Sequence, residues 1–214
     1  MKTKIIMPLL LMLVFALSRI PGMLPDNFSA AYAIAFCAGV YFSGRAGWWL
    51  PLLTLFLTDI GLNIYYLCLG WHVFELPILK YQLFVYASYA CLIWLGRRFK
   101  PQSSFSALLG GGILGALLFY LITNTASWFF NPFANAEYTK DLLGWITALT
   151  KGTAGWPSTW EFFLRTLMSG GLFTGMFVGA MKLTAAAESA REKGAEDEKA
   201  EESEADPAPE EGKA

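Results

Sequence analysis

The sequence predicts an all-α membrane protein: a six-helix transmembrane bundle over residues 1–184, followed by a disordered acidic tail over 185–214. Three observations carry that prediction. Hydrophobic residues make up 55% of the chain and charged residues only 15%, against roughly 45–50% and about 25% in soluble domains. Six apolar runs are spaced along the body of the chain, most of them near the ~20 residues that a helix needs to cross the hydrocarbon. Small residues recur at helical spacing in three of these runs, a pattern that lets helix backbones approach one another in lipid. The net charge of −1 averages a charge-poor body with a charge-dense end, and describes neither.

The first run opens with Lys2 and Lys4 and extends from Ile5 to Leu17. A cleaved signal peptide has the same outline. Arg19 stands where a cleavage site needs small neutral residues, and the next run follows closely, which favours a retained helix. The second run, Phe28–Phe42, places Ala31, Ala35, Ala38 and Gly39 on one face at i, i+4, i+7 and i+8. A short hinge, SGRAG, turns the chain at Arg45 into a third run, Trp48–Leu69. This run starts on two tryptophans suited to the headgroup level and carries Asp59 well inside it, with Asn63 one turn on. The fourth helix is expected over Leu79–Leu95, the fifth over Phe105–Phe130 and the sixth over Thr159–Leu183. Ala107, Gly111 and Gly115 form a stripe on the fifth; Gly171, Gly175 and Gly179 form one on the sixth. Such stripes serve helix packing, or alternatively docking of a partner protein.

Basic residues orient the bundle. With the start inside, Lys2, Lys4, Arg45, Arg97, Arg98, Lys100, Lys182, Arg191 and Lys193 are cytoplasmic, whereas Arg19, Lys80, Lys140 and Lys151 are outside. Both termini are therefore expected in the cytoplasm. The outer connections then hold most of the polar chemistry. The first contributes Pro21, Pro25, Asp26 and Asn27, and the third contributes Trp71, His72 and Glu75. The last, Asn131–Ser158, is long enough for a short amphipathic helix over Tyr138–Leu149, with Leu142, Leu143, Ile146 and Leu149 along one side. That helix suits either the membrane interface or a lid over a cavity.

Beneath those loops, polar side chains converge. Tyr120, Asn124, Ser127 and Trp128 share a face near the outer end of the fifth helix, and Trp160, Glu161 and Arg165 open the sixth. Glu161 and Arg165 stand at i, i+4 in the favourable order for an intrahelical pair. An unpaired carboxylate at membrane depth is penalised by about 2.5–3.5 kcal/mol. Asp59 must therefore find water or a donor, and Arg19 and Arg165 are the cations in reach. The expected small-ligand site comprises Asp59, Asn63, Asn124 and Trp128, joined by Arg19, Asn27, Tyr120, Trp160 and Arg165.

Arg19 followed by NFSAAYAIAFCAGVYF, the run LPLLTLFLTD ending at Asp59, TNTASWF with Asn124 and Trp128, and the stretch from Tyr138 through Trp160, EFF and the glycine stripe together support a resemblance. Over Ser18–Ala180 the chain resembles a bacterial family of six-helix membrane proteins related to the substrate-capture (S) components of energy-coupling-factor vitamin transporters. The resemblance implies an inner-membrane location, a substrate site under outer loops one, three and five, and docking to a transmembrane coupling subunit with ATPase subunits. S components often carry an Ala-x-x-x-Ala coupling motif on their first helix. Here that helix has only Ala16, and the nearest equivalent is Ala31–Ala35–Gly39 on the second.

Other chemistries find little in the chain. His72 is the single histidine, and Cys37, Cys68 and Cys91 lie in apolar runs without C-x-x-C spacing, so neither a metal site nor a serine–histidine dyad is expected. No phosphate-binding glycine loop follows a strand. An enzyme activity, a cofactor and a nucleic-acid partner are thus all unexpected. The tail is acidic and nearly devoid of apolar residues, a composition that favours disorder. The leading expectation is a substrate-binding membrane subunit for uptake of a small vitamin-like molecule. The alternatives are an interaction or scaffold protein, and a stand-alone ion-coupled transporter using Asp59.

Overall fold

The computed structural model describes residues 3–42 and 44–205, with side chains from 9 to 196 within that range. Lys2, Ser43 of the hinge and tail residues 206–214 lie outside it. Every regular element among the described residues is helical. The helices are α1 (Thr3–Leu17), α2 (Ala31–Tyr41), α3 (Ala46–Cys68), α4 (Leu76–Gly96), α5 (Phe105–Phe130), α6 (Leu142–Leu149) and α7 (Thr159–Ala205). Four of them, α3, α4, α5 and the stretch Thr159–Glu196 of α7, are long and apolar enough to cross a membrane, consistent with a membrane location. The six apolar runs of the sequence all become helices, and the amphipathic segment of the long connection becomes α6.

Local chemistry sets the helix ends. Asn27 adopts a left-handed φ of 59°, and the Ser29 hydroxyl accepts the Ala31 N–H at 3.1 Å, so α2 starts three residues later than the apolar run. Pro77 follows an extended Glu75 at the head of α4, where its missing N–H would have had no helical partner. Ser104 caps α5 through the Ala107 N–H at 3.2 Å, and Asn131 ends it in the left-handed conformation at φ 43°. Asp141 caps α6 by accepting the Gly144 N–H at 2.7 Å.

α2 is the core. Its residues Ala31–Val40 are all buried, because α1, α3, α4 and α5 all pack against it. The sequence stripe marked one close-packed face of this helix; the structure uses the whole circumference, as an apolar helix without a polar side requires. Gly39 faces Gly96 of α4, and each Cα occupies the space that a side chain on the other would need. Phe36 and Phe99 cover Gly111 on α5. Against α7, α5 presents Gly112 to Thr174 and Ala116 to Gly170. The tight α7 contacts are therefore at Gly170 and Thr174, one residue out of step with the expected Gly171–Gly175–Gly179 stripe. A side chain on Gly175 would meet only ordinary contacts, and one on Gly179 would meet open space.

The chain divides into two compact units, Met1–Val178 and Gly179–Ala214. The first contains the bundle just described. In the second, helical backbone continues to Ala205, where composition predicted an unstructured tail from residue 185. Ala185–Ala187, Glu188, Arg191, Glu192 and Lys193 are strong helix formers, and Glu188–Arg191 is a supporting i, i+3 pair. The low apolar content that argues against a packed core does not argue against a single helix.

Candidate functional site

Gly47, Pro51, Leu55 and Asp59 recur every fourth residue and are the buried residues of α3. This stripe turns the Asp59 carboxylate inward on a helix whose other sides are mostly exposed, including Leu53, Phe56, Leu57, Ile60 and Ile64. Arg19 stands in the turn that ends α1, held by its N–H to the Ala16 carbonyl at 3.1 Å. Its Nη2 donates to Asp59 Oδ1, forming an ion pair with side chains only 15% and 9% exposed. Gln82 on α4 supplies the second donor, Nε2 to Asp59 Oδ2 at 2.6 Å.

Three residues of α4 line this pair. Gln82, Tyr86 and Tyr89 fall at i, i+4 and i+7; the Tyr86 hydroxyl lies against Asp59 and Gln82, and that of Tyr89 against Arg19. Beside them is an aromatic cluster. The rings of Tyr32 and Tyr89 are nearly parallel, 7° apart with centroids at 6.4 Å, and Phe119 contacts both, at 4.7 and 5.0 Å. The Tyr32 hydroxyl donates to the Asn27 carbonyl at 3.4 Å, which ties the loop between α1 and α2 to the same cluster. One donor stays unmet: Arg19 Nε is buried with no acceptor.

The remaining expected site residues take other partners. The Tyr120 hydroxyl donates to the Leu149 carbonyl, and Asn124 Nδ2 returns to the Tyr120 carbonyl at 2.9 Å. Trp128 Nε1 donates to the Thr139 carbonyl at 2.7 Å. Lys140 packs near the Trp128 ring, 5.6 Å from its centroid, and donates to the Trp128 and Phe129 carbonyls at 2.6 and 2.7 Å. These residues fasten the long connection to the end of α5, and Trp145 adds a bond to Thr125 Oγ1 at 3.0 Å. Asn63 is half-buried one turn beyond Asp59. Trp160 is exposed and rests on Phe163 at 5.0 Å. Arg165 makes the anticipated i, i+4 pair with Glu161, at 3.9 Å.

Of the two roles open to α6, its leucines bear on neither cavity nor core. Gly144 and Ala148 are its buried residues, while Leu142, Leu143 and Ile146 point outward. Gly144 lets the connection fold tightly back on Thr139, and the apolar stripe faces away. Next to α6 runs a groove of about 490 Å³ lined by Phe84, Leu121, Ile122, Thr125, Ala126, Phe129 and Phe130. It includes none of the expected site residues.

Outside the helices two acids have altered affinity for protons. The Ala154 N–H bonded to Glu137 lowers the carboxyl pKa below its ordinary value. Asp141 is lowered by the Gly144 N–H and then by the Thr139 hydroxyl. Both bonds lock the connection onto itself.

Sequence reasoning passed over Gln82, Tyr86, Tyr89 and Tyr32. The i, i+4, i+7 spacing on α4 was the available signal. A family profile described as a family of unknown function, DUF6580, matches residues 1–192. No curated protein and no solved structure matches the chain.

Proposed function

We propose, for a chain that belongs to the DUF6580 family, the role of a substrate-binding integral membrane subunit for uptake of a small vitamin-like molecule. The observation that carries this reading is the buried Arg19–Asp59 pair, flanked by Gln82, Tyr86 and Tyr89 and backed by aromatic rings. Ionisable groups within an apolar bundle are expensive to keep there, and convergent polar groups against aromatic walls are the usual make-up of a ligand site. The position of Arg19 at the base of the first outer loop supports the reading further, since a ligand arriving from outside meets that loop. In this reading the bundle has six spans with both termini cytoplasmic, in the inner membrane of a bacterium. α1 and α2 complete the four long helices, and α2 is sheltered from lipid. The resemblance to S components adds a transmembrane coupling subunit with ATPase subunits as the partner.

A second reading draws on the same carboxylate. Asp59 beside a cation inside the bundle also suits a stand-alone transporter that couples uptake to an ion. Thermal-shift screening of vitamins and their precursors against the detergent-purified chain tests the first reading. At least one compound should stabilise the protein saturably, and Asp59→Asn should abolish that response while the protein remains folded. A response in no compound removes the binding role. Uptake in proteoliposomes driven by a proton gradient without an ATPase would establish the second reading instead.

A further inference from the structure

We infer that the Arg19–Asp59 site takes an electrically neutral ligand bearing a carbonyl or ring-nitrogen acceptor; this rests on the binding role proposed above. The derivation begins with which hydrogen-bonding capacity is already used. Both Asp59 oxygens have donors, Arg19 Nη2 on one and Gln82 Nε2 on the other, and Tyr86 lies against the same carboxylate. The carboxylate therefore makes little demand on a ligand. The guanidinium is in the opposite position. It carries five N–H donors and no acceptor, and its buried Nε has no acceptor. What Nε lacks is an acceptor: the Tyr89 hydroxyl lies against Arg19 but does not bond that nitrogen.

Charge decides which kind of acceptor fits. Guanidinium and carboxylate cancel, so the site is neutral as it stands. A ligand carboxylate would leave one uncompensated negative charge among buried aromatic rings, and a ligand ammonium one positive charge. Either carries a desolvation penalty with no counterion to offset it. Lys80, Glu75 and Asp26 are all exposed and keep their own hydration. A neutral carbonyl or ring nitrogen answers Nε without disturbing the balance. The nearly parallel Tyr32 and Tyr89 rings, with Phe119 against both, are buried and back the pair as an apolar wall.

The route in is the first outer loop. Its base is closed by the Ser18 and Ser29 hydroxyls at 3.1 Å and by the Ala30 N–H on Ser18 at 3.2 Å. Beyond that base Ile20–Met23 and Pro25–Asn27 are exposed. The long connection over α6, by contrast, is fastened through Tyr120, Trp128, Lys140, Trp145 and Glu137.

The experiment is titration of the full chain in detergent with probes in three charge classes. Nicotinamide and lumichrome are neutral, nicotinate and biotin anionic, and thiamine cationic; nicotinamide and nicotinate share one ring. Saturable binding is expected in the neutral class. Arg19→Lys keeps a cation for Asp59 and removes Nε, and should weaken that binding about tenfold to a hundredfold. Its melting temperature should stay close to that of the parent. A tighter anionic or cationic binder overturns the inference while leaving the uptake role standing. Unchanged affinity in Arg19→Lys also overturns it, and means that water serves Nε. Saturable binding in no class overturns the uptake role and the inference together. The charge ranking is measured on the unmodified protein, so it decides even if the variant does not fold.

Discussion

Gly39 and Gly96 meet backbone to backbone: a Cβ on Gly39 would lie 3.0 Å from the Gly96 Cα, and one on Gly96 would lie 3.1 Å from the Gly39 Cα. Each would press still harder on a carbonyl oxygen, that of Ile93 or of Phe36. Overpacking a core costs about 1–3 kcal/mol when side chains can shift, and backbone shifts less readily. Gly39→Ala and Gly96→Ala should therefore lower the melting temperature in detergent strongly. Gly61→Ala, where nothing lies within 4 Å, should be neutral or stabilise by up to about 1 kcal/mol through helix propensity. Equal effects at Gly39 and Gly61 would mean that α2 and α4 do not cross there.

Removing one member of a buried ion pair costs about 3–5 kcal/mol, whereas replacing both by apolar residues is often neutral. Asp59→Leu and Arg19→Met should each destabilise the bundle on that scale, and the double variant should recover most of the loss. A double-mutant cycle on thermal unfolding measures this directly. Additive losses would show that the two groups do not depend on one another.

Acid should loosen the long outer connection before it affects the bundle. Glu137 and Asp141 have folded-state pKa values depressed below the ordinary 4.5 and 3.8. Their contribution is thus fully present above those ordinary values and is lost as pH falls through the depressed ones. Proteolysis within residues 137–154 should rise only as pH falls below about 4, read with an acid-active protease and corrected for its own pH profile. Glu137→Gln should show that sensitivity already at neutral pH, because its amide is a weaker acceptor for the Ala154 N–H. A pH-independent digestion pattern would contradict this account.

Reporter fusions test the six-span reading. Fusions after Lys100 and after Ala214 should both score cytoplasmic, as the distribution of Lys and Arg requires. A periplasmic signal from either would change the span count or the orientation.

Deleting everything after Glu188 should leave the bundle unit Met1–Val178 folded and ligand binding intact, since the charged helix beyond it has few apolar groups to bury. Size-exclusion profile and thermal midpoint of the truncated protein provide the comparison. Loss of the folded bundle would be the contrary result.

Much of this arrangement can be read from residues alone. α5 runs over the same residues as its apolar run, because Ser104 and Asn131 mark its ends chemically. The inward aim of Asp59 is written in the spacing of Gly47, Pro51 and Leu55. Its cation was legible as well, since Arg19 was one of two in reach. The neutral partners on α4 were not singled out: reading for charge passes over Gln82, Tyr86 and Tyr89, although their spacing places them on one face. The partner of Trp128 was hidden for a different reason. Its indole bonds a backbone carbonyl, that of Thr139, and carbonyls leave no mark in a sequence. The small-residue stripe of α7 was displaced by one position because side-chain size alone does not reveal which glycine faces a neighbour.

α2, with 11 residues, is about 16 Å long, roughly half the ~30 Å of a bilayer's hydrocarbon layer. Three of the helices that enclose it, α3, α4 and α5, are synthesised later. During translation this strut has neither the length to anchor itself at both surfaces nor the walls that will shield it. In the six-span reading, biogenesis of the bundle is therefore not a sequential stacking of finished spans. The C-terminal half must close around a segment made earlier, and the interior is complete only once α7, whose Val178 is buried with Phe36, Cys37 and Val40, has followed.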